Sequence, residues 1–95
     1  MSDYEEMSLR EILTSWQDGD GIGWPAEFAW LRTYHHKQLA ALAIDVAKNG
    51  FQEPITLGTD GRIWDGHHRL CVAESLDWRH LPVLHAEDER PGGAA

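Results

Sequence analysis

With Cys71 as its only cysteine, the chain cannot close an internal disulfide, so its fold must rest on packing. No apolar run reaches about 18 residues, which excludes a membrane-spanning helix. The opening residues Met1-Ser2-Asp3-Tyr4-Glu5-Glu6 are acidic and lack the apolar stretch of a secretory leader. These absences make the cytoplasm the expected compartment. Positive charge is also scarce: 8 Lys and Arg stand against 16 Asp and Glu, a formal net charge of -8. Much of the excess lies at the ends, in Asp3, Glu5, Glu6, Glu87, Asp88 and Glu89. Nonspecific affinity for nucleic acid rests on neutralising phosphates, so this balance disfavours it. A local basic pocket remains compatible with the composition.

What is present reads as one small α+β domain. Five Trp and a hydrophobic fraction of 42% indicate a folded chain. Ser8-Leu9-Arg10-Glu11 has the form of a capping box, and Leu9, Ile12, Leu13 and Trp16 continue at helical spacing to about Gln17. Asp18-Gly19-Asp20-Gly21-Ile22-Gly23 is a loop by composition. It resembles the start of a calcium loop, but the twelfth position holds Ala29 where such loops place a bidentate glutamate, so no metal is expected there. Pro25 suits the opening of a second helix, about 26–34, with Phe28 and Leu31 on its apolar side. Leu39, Leu42, Ala43 and Val46 set a third helix from His36 to Lys48, which Asn49-Gly50 stops. The period then changes. Pro54-Ile55-Thr56-Leu57 and Arg62-Ile63-Trp64 form a hairpin about Gly58-Thr59-Asp60-Gly61, a helix runs from Leu70 to Leu76, and Leu81 to Leu84 is a last strand in which Pro82 marks an edge or a start. The expected organisation is a single domain over 1–86, whose residues 1–35 form a helical N-terminal extension, followed by an acidic, Gly-rich disordered tail over 87–95.

Asp65-Gly66-His67-His68-Arg69 lies between the second hairpin strand and the helix, and carries the most chemical information. A glycine at a strand-to-helix turn permits close approach to the backbone, and the unpaired N–H groups at the helix start favour an anion. Arg69 adds a planar fork of donors suited to phosphate, with pairing to Asp65 or Glu74 as the plainer alternative. Asp65 also fits a turn or cap role. His67 and His68 are adjacent, so on a helix their side chains diverge by about 100° and do not serve one metal together. A zinc site that combined them with the His35-His36 pair and Asp65 would lack any ligand-spacing signature. Lys37 stands where it could reach a phosphate or simply be solvated, and Cys71 reads as a small buried hydrophobe.

Leu42-Ala43-Ile44-Asp45-Val46, Gly50, Pro54-Ile55, Asp60-Gly61, Asp65-Gly66-His67-His68-Arg69-Leu70, Ala73 and Pro82-Val83 together resemble the ParB/sulfiredoxin superfamily over about residues 36–85. The Asp-Gly-His-His-Arg-Leu form is especially similar to small ParB-like "nuclease" domains of bacterial and phage proteins. The resemblance implies a phosphate or nucleotide at the turn: ParB proteins bind and hydrolyse CTP, sulfiredoxins use ATP to repair an over-oxidised cysteine, and some relatives are free-serine kinases. It implies Gly66 as the turn glycine, His68 and Arg69 as phosphate contacts, and the N–H groups around His67 as the cradle. His67 occupies the position of the sulfiredoxin nucleophile, so sulfinic-acid repair is not expected. Asp45 stands where many relatives place a hydroxyl, and a carboxylate there calls for a bridging cation. The chain carries no helix-turn-helix reader after the domain, so chromosome partition and DNA binding by this chain alone are not expected.

Three functions follow from this reading. The first is a phosphate or nucleotide pocket of Gly66, His67, His68, Arg69 and Lys37, with Mg²⁺ held by Asp45 or Asp65 and a nucleophile oriented by Glu53 or Asp65, supporting nucleotide hydrolysis or phosphoryl transfer. The second is an acidic protein-interaction module, such as a phage-type protein acting on a host protein, with a vestigial pocket and a contact patch of Trp16, Trp24 and Trp30 for a protein partner or a second copy. The third is a metal-dependent nuclease, which needs convergent carboxylates.

Overall fold

A computed structural model of the chain describes residues 4–86. The expected tail over 87–95 lies outside the described residues, apart from which every element of the sequence reading can be placed. The elements in order are β1 (Glu5–Ser8), α1 (Leu9–Ser15), α2 (Trp24–Tyr34), α3 (His36–Asn49), β2 (Ile55–Leu57), β3 (Ile63–Asp65), α4 (His67–Ser75) and β4 (His80–His85). The four strands form one mixed sheet in the order β1-β4-β2-β3. β1 and β4 are antiparallel, β4 and β2 parallel, and β2 and β3 form the expected antiparallel hairpin. This is an α+β fold.

β1 is the main addition to the expected fold, because residues 1–35 supply a strand as well as helices. Met7 lies opposite Leu81 and is the buried residue of the strand, while Glu5 and Glu6 face solvent. Pro82 lies opposite Glu6, and the parallel ladder to β2 begins only at Val83. The missing N–H of Pro82 therefore falls where one side of β4 does not yet have a strand partner.

Helix boundaries follow local chemistry. Ser8 caps α1, its hydroxyl accepting the Glu11 N–H at 3.1 Å, and the helix ends at Ser15, slightly before the expected Gln17. Ser8→Ala is expected to cost about 1 kcal/mol in a denaturant titration, with the slope of the transition unchanged. Pro25 occupies the first turn of α2, and Gly50 (φ 71°) closes α3 with its N–H donated to Val46 O. α4 begins at His67, three residues before the expected Leu70. Gly66 takes φ 116° and ψ 16°, so the chain turns in one residue, and the Leu70 N–H already closes a helical turn on Gly66 O.

The core lies between the sheet and the helices. Ile55, Leu57, Ile63, Leu81 and Val83 from the strands meet Ile12, Phe28, Leu31, Leu70 and Ala73 from the helices, all nearly or fully buried. Trp24 is part of this cluster. The loop after α1 is fastened to the hairpin by Gln17, whose N–H donates to Gly61 O and whose carbonyl accepts from the Ile63 N–H. That fastening brings the Asp18–Gly23 loop beside the start of α4.

Candidate functional site

The start of α4 opens into a cleft of about 490 Å³. Asp65, Gly66, His67, His68 and Arg69 line one side, Glu53 adds a carboxylate, and Asp20, Glu27, Trp30, Leu31, His35 and Leu42 come from the preceding loop and from α2 and α3 with their junction. The turn and the third helix therefore both border the cleft. No side chain caps the N-terminus of α4.

The two adjacent histidines point to different partners. His67 Nε2 accepts the Gly19 N–H at 2.9 Å, and its ring lies 5.7 Å from that of Trp24. Burial holds its imidazole below the usual histidine range, against the pull of Asp20, Asp18 and Asp65. His68 Nε2 meets His35 Nδ1 at 2.8 Å, and one of the two rings must supply the shared proton. Burial and then the neighbouring His35 lower the His68 pKa as well. Both residues are thus favoured as neutral imidazoles, able to give or take a hydrogen bond.

Arg69 is already engaged. Its guanidinium donates to Pro54 O at 3.0 Å and to Glu53 Oε2 at 2.8 Å, with Asp65 Oδ2 at 3.9 Å. Glu74 pairs with Arg32 instead. Glu53 and Asp65 accordingly stand on the Arg69 side of the cleft. Asp45 is exposed, accepts from Asn49 Nδ2 at 2.9 Å, and borders a small adjoining cavity with Glu53 and Arg69 rather than the main cleft. Lys37 is exposed on α3 and is not among the residues lining the cleft.

The Asp18–Gly23 loop, where the sequence leads one to expect no metal, and α2 together contribute a further group of carboxylates. Asp18, Asp20 and Glu27 each bring a carboxylate oxygen within 4.8 Å of the others. Asp18 is buried, and its oxygens accept the N–H groups of Ile22 at 3.0 Å and Gly23 at 2.7 Å. Burial alone would raise its pKa, but these backbone donors outweigh it and hold the carboxyl below the usual range. Glu27 is 3% exposed, and its Oε1 has no hydrogen-bond partner. Burial, then the nearby Asp20 and Asp18, push its carboxyl up to about 7. One signal could have found it. Trp24, Phe28 and Leu31 repeat at helical spacing, and Glu27 falls inside that buried stripe.

The three tryptophans do not form one exposed patch. Trp24 is buried against Phe28, and its Nε1–H donates to Trp16 O at 2.9 Å. Trp16 is half-buried and packs edge-on to His85. Trp30 is the exposed member, beside Tyr34 and His35, and it borders the cleft. Trp24 had to move inside because an indole at the first turn of α2 closes the core over Phe28. Cys71 is buried, which raises its thiol pKa and leaves it a packing residue.

No family model matches the chain, and no curated protein matches it. A search of solved structures finds a Pnob8-like ParB-N domain at TM-score 0.56 and 14% identity, covering 90% of this chain. The chain spans 29% of the length of that solved chain. No helix among the described residues is long and apolar enough to cross a membrane. At this identity the likeness shows fold alone. It agrees with the mixed sheet, and the chain has a ParB-like α+β fold.

Proposed function

We propose that the cleft binds a nucleotide through its phosphates, at the start of α4, together with a divalent cation such as Mg²⁺. The observation that carries this reading is the uncapped N-terminus of α4, opened by Gly66 into a cleft of a size suited to a small molecule. His68, which lines the cleft, would hydrogen-bond a phosphate oxygen, and Arg69 would stabilise its charge on exchanging Glu53 for the ligand. The electrostatics supply the need for a cation. Asp20, Glu27, Glu53 and Asp65 all border the cleft, against one fixed positive charge in Arg69, so a bare polyphosphate would meet net repulsion. Hydrolysis or phosphoryl transfer is the finer part of the proposal, with the same donors stabilising charge on the transferred group.

A thermal-shift screen with nucleotides tests it. A nucleotide with Mg²⁺ should raise the melting temperature, by the equivalent of about 2.7 kcal/mol at a hundred times its dissociation constant. The shift should vanish in chelator, and His68→Ala should weaken binding about tenfold while the far-ultraviolet circular dichroism stays unchanged. Equal affinity in His68→Ala would count against this site. Release of inorganic phosphate in the same mixtures separates a hydrolase from a binding module.

A second reading has one observation in its favour. Trp30 and Tyr34 are 46% and 68% exposed with their rings 5.3 Å apart, an aromatic edge suited to a protein partner or a second copy. Absence of any nucleotide shift would leave this interaction reading in place.

A further inference from the structure

We propose that Asp18, Asp20 and Glu27 form a binding site for a hard divalent cation, of the Mg²⁺, Mn²⁺ or Ca²⁺ class, beside the cleft. Carboxylate oxygens that bind one such ion at about 2.1–2.5 Å lie at most about 5 Å apart across it. The three side chains already bring oxygens within 4.8 Å of one another. They come from two pieces of chain, the loop after α1 and the first turn of α2, so the approach is a product of folding rather than of sequence adjacency alone.

The second observation is the state of Glu27. Its side chain is 3% exposed, and Oε1 is sealed from water without any hydrogen-bond donor. A buried polar atom in that condition costs free energy unless something satisfies it. Asp18 and Asp20, the other members of the trio, accept as carboxylates, and the hydrogen bond between Glu27 and Asp20 uses a proton that Glu27 itself must carry. A bound cation would satisfy Oε1 and relieve the repulsion among the three acids together.

The donor set also selects the ion. His67 borders the same cleft, but its Nε2 is occupied by the Gly19 N–H. That leaves oxygen ligands, which suit hard cations. Asp18 is the fixed member, because two backbone N–H groups hold its carboxylate in place while each oxygen keeps a further lone pair. Asp20 and Glu27 both border the cleft, so the ion's remaining positions open toward it and are free for water or for a ligand oxygen. The calcium-loop rule missed this arrangement because the third carboxylate is not at the twelfth position. It comes from Glu27, turned inward on α2.

The proposal stands on these three side chains and is tested with the metal alone, so its failure and failure of the nucleotide reading are distinguishable. Mn²⁺ titrated into chelator-treated protein should raise the melting temperature and broaden the amide resonances of residues 18–27 before any others. Asp20 is exposed, so Asp20→Asn should fold normally and bind Mn²⁺ at least about tenfold more weakly. Glu27→Gln should weaken binding to a similar degree. Two results would overturn the proposal: no broadening at these amides in millimolar Mn²⁺, or undiminished binding by folded Asp20→Asn.

Discussion

Gly66→Ala is expected to destabilise the domain by about 2–4 kcal/mol, the largest loss expected of any single methyl addition at the site. Two costs combine. The backbone sits at φ 116°, a region that L residues adopt at a cost of about 1–3 kcal/mol. A Cβ built there would lie 2.6 Å from Ile55 Cδ1 and 3.3 Å from Ile55 Cα. Ile55 is fully buried in β2, so its side chain has no free volume into which to retreat, and its backbone is fixed by pairing with Val83. Denaturant unfolding of the variant should show a lower midpoint with an unchanged slope. A D-alanine introduced by semisynthesis separates the two costs. It removes the conformational penalty and turns the methyl to the other side of the backbone, so most of the stability should return. Stability within about 0.5 kcal/mol of wild type for Gly66→Ala would show that the turn is not held in the conformation described.

The reason one methyl has so much leverage is that the turn joins β3, the edge of the sheet, to a helix whose first residues line the cleft. Much of this was legible in the sequence. Gly66 between an apolar strand and an apolar helix signals a tight turn, and the Leu39–Val46 stripe, Asn49-Gly50 and the hairpin about Gly58–Gly61 are all local patterns. What stayed hidden was non-local. β1 carries one buried residue, Met7, amid acids, and becomes a strand only because β4, more than seventy residues later, offers it a partner. The engagement of Arg69 by Pro54 O and Glu53 likewise depends on the loop before β2 folding back on α4. Asp45 and Lys37 sat at plausible places on α3, but the helix rotates both toward solvent, and periodicity alone does not say which flank of a helix borders a cleft. Trp24 illustrates the same limit from the other side: a tryptophan beside a proline in a Gly-rich loop reads as exposed, yet it is part of the core.

Glu27→Gln should abolish a descending pH dependence of stability in the metal-free protein. The carboxyl stands at about 7 in the folded chain against an ordinary 4.5. Between those values the native state holds a proton that the unfolded state has released, so stability is greatest below about pH 4.5 and falls as pH rises toward 7. The difference corresponds to at most about 3 kcal/mol, on the scale of 1.36 kcal/mol per pKa unit. His67 and His68 act in the opposite sense. Their pKa values are lowered by burial, so the unfolded state binds more protons around pH 6.5 and stability rises with pH there. Total stability therefore mixes opposing slopes, and the informative quantity is the difference between variant and wild type in chelator. Asp18 and Asp20 face the same carboxyl, and glutamine removes its charge while keeping its shape. Glu27→Gln should be close to wild type at pH 4.5 and more stable by about 2–3 kcal/mol at pH 8. Saturating Mn²⁺ should reverse the order at pH 8, because the ion stabilises the ionised glutamate and has less to bind in the glutamine variant. Parallel stability curves for the two proteins from pH 4.5 to 8 in chelator would show that Glu27 ionises normally, and would remove the physical basis for this prediction.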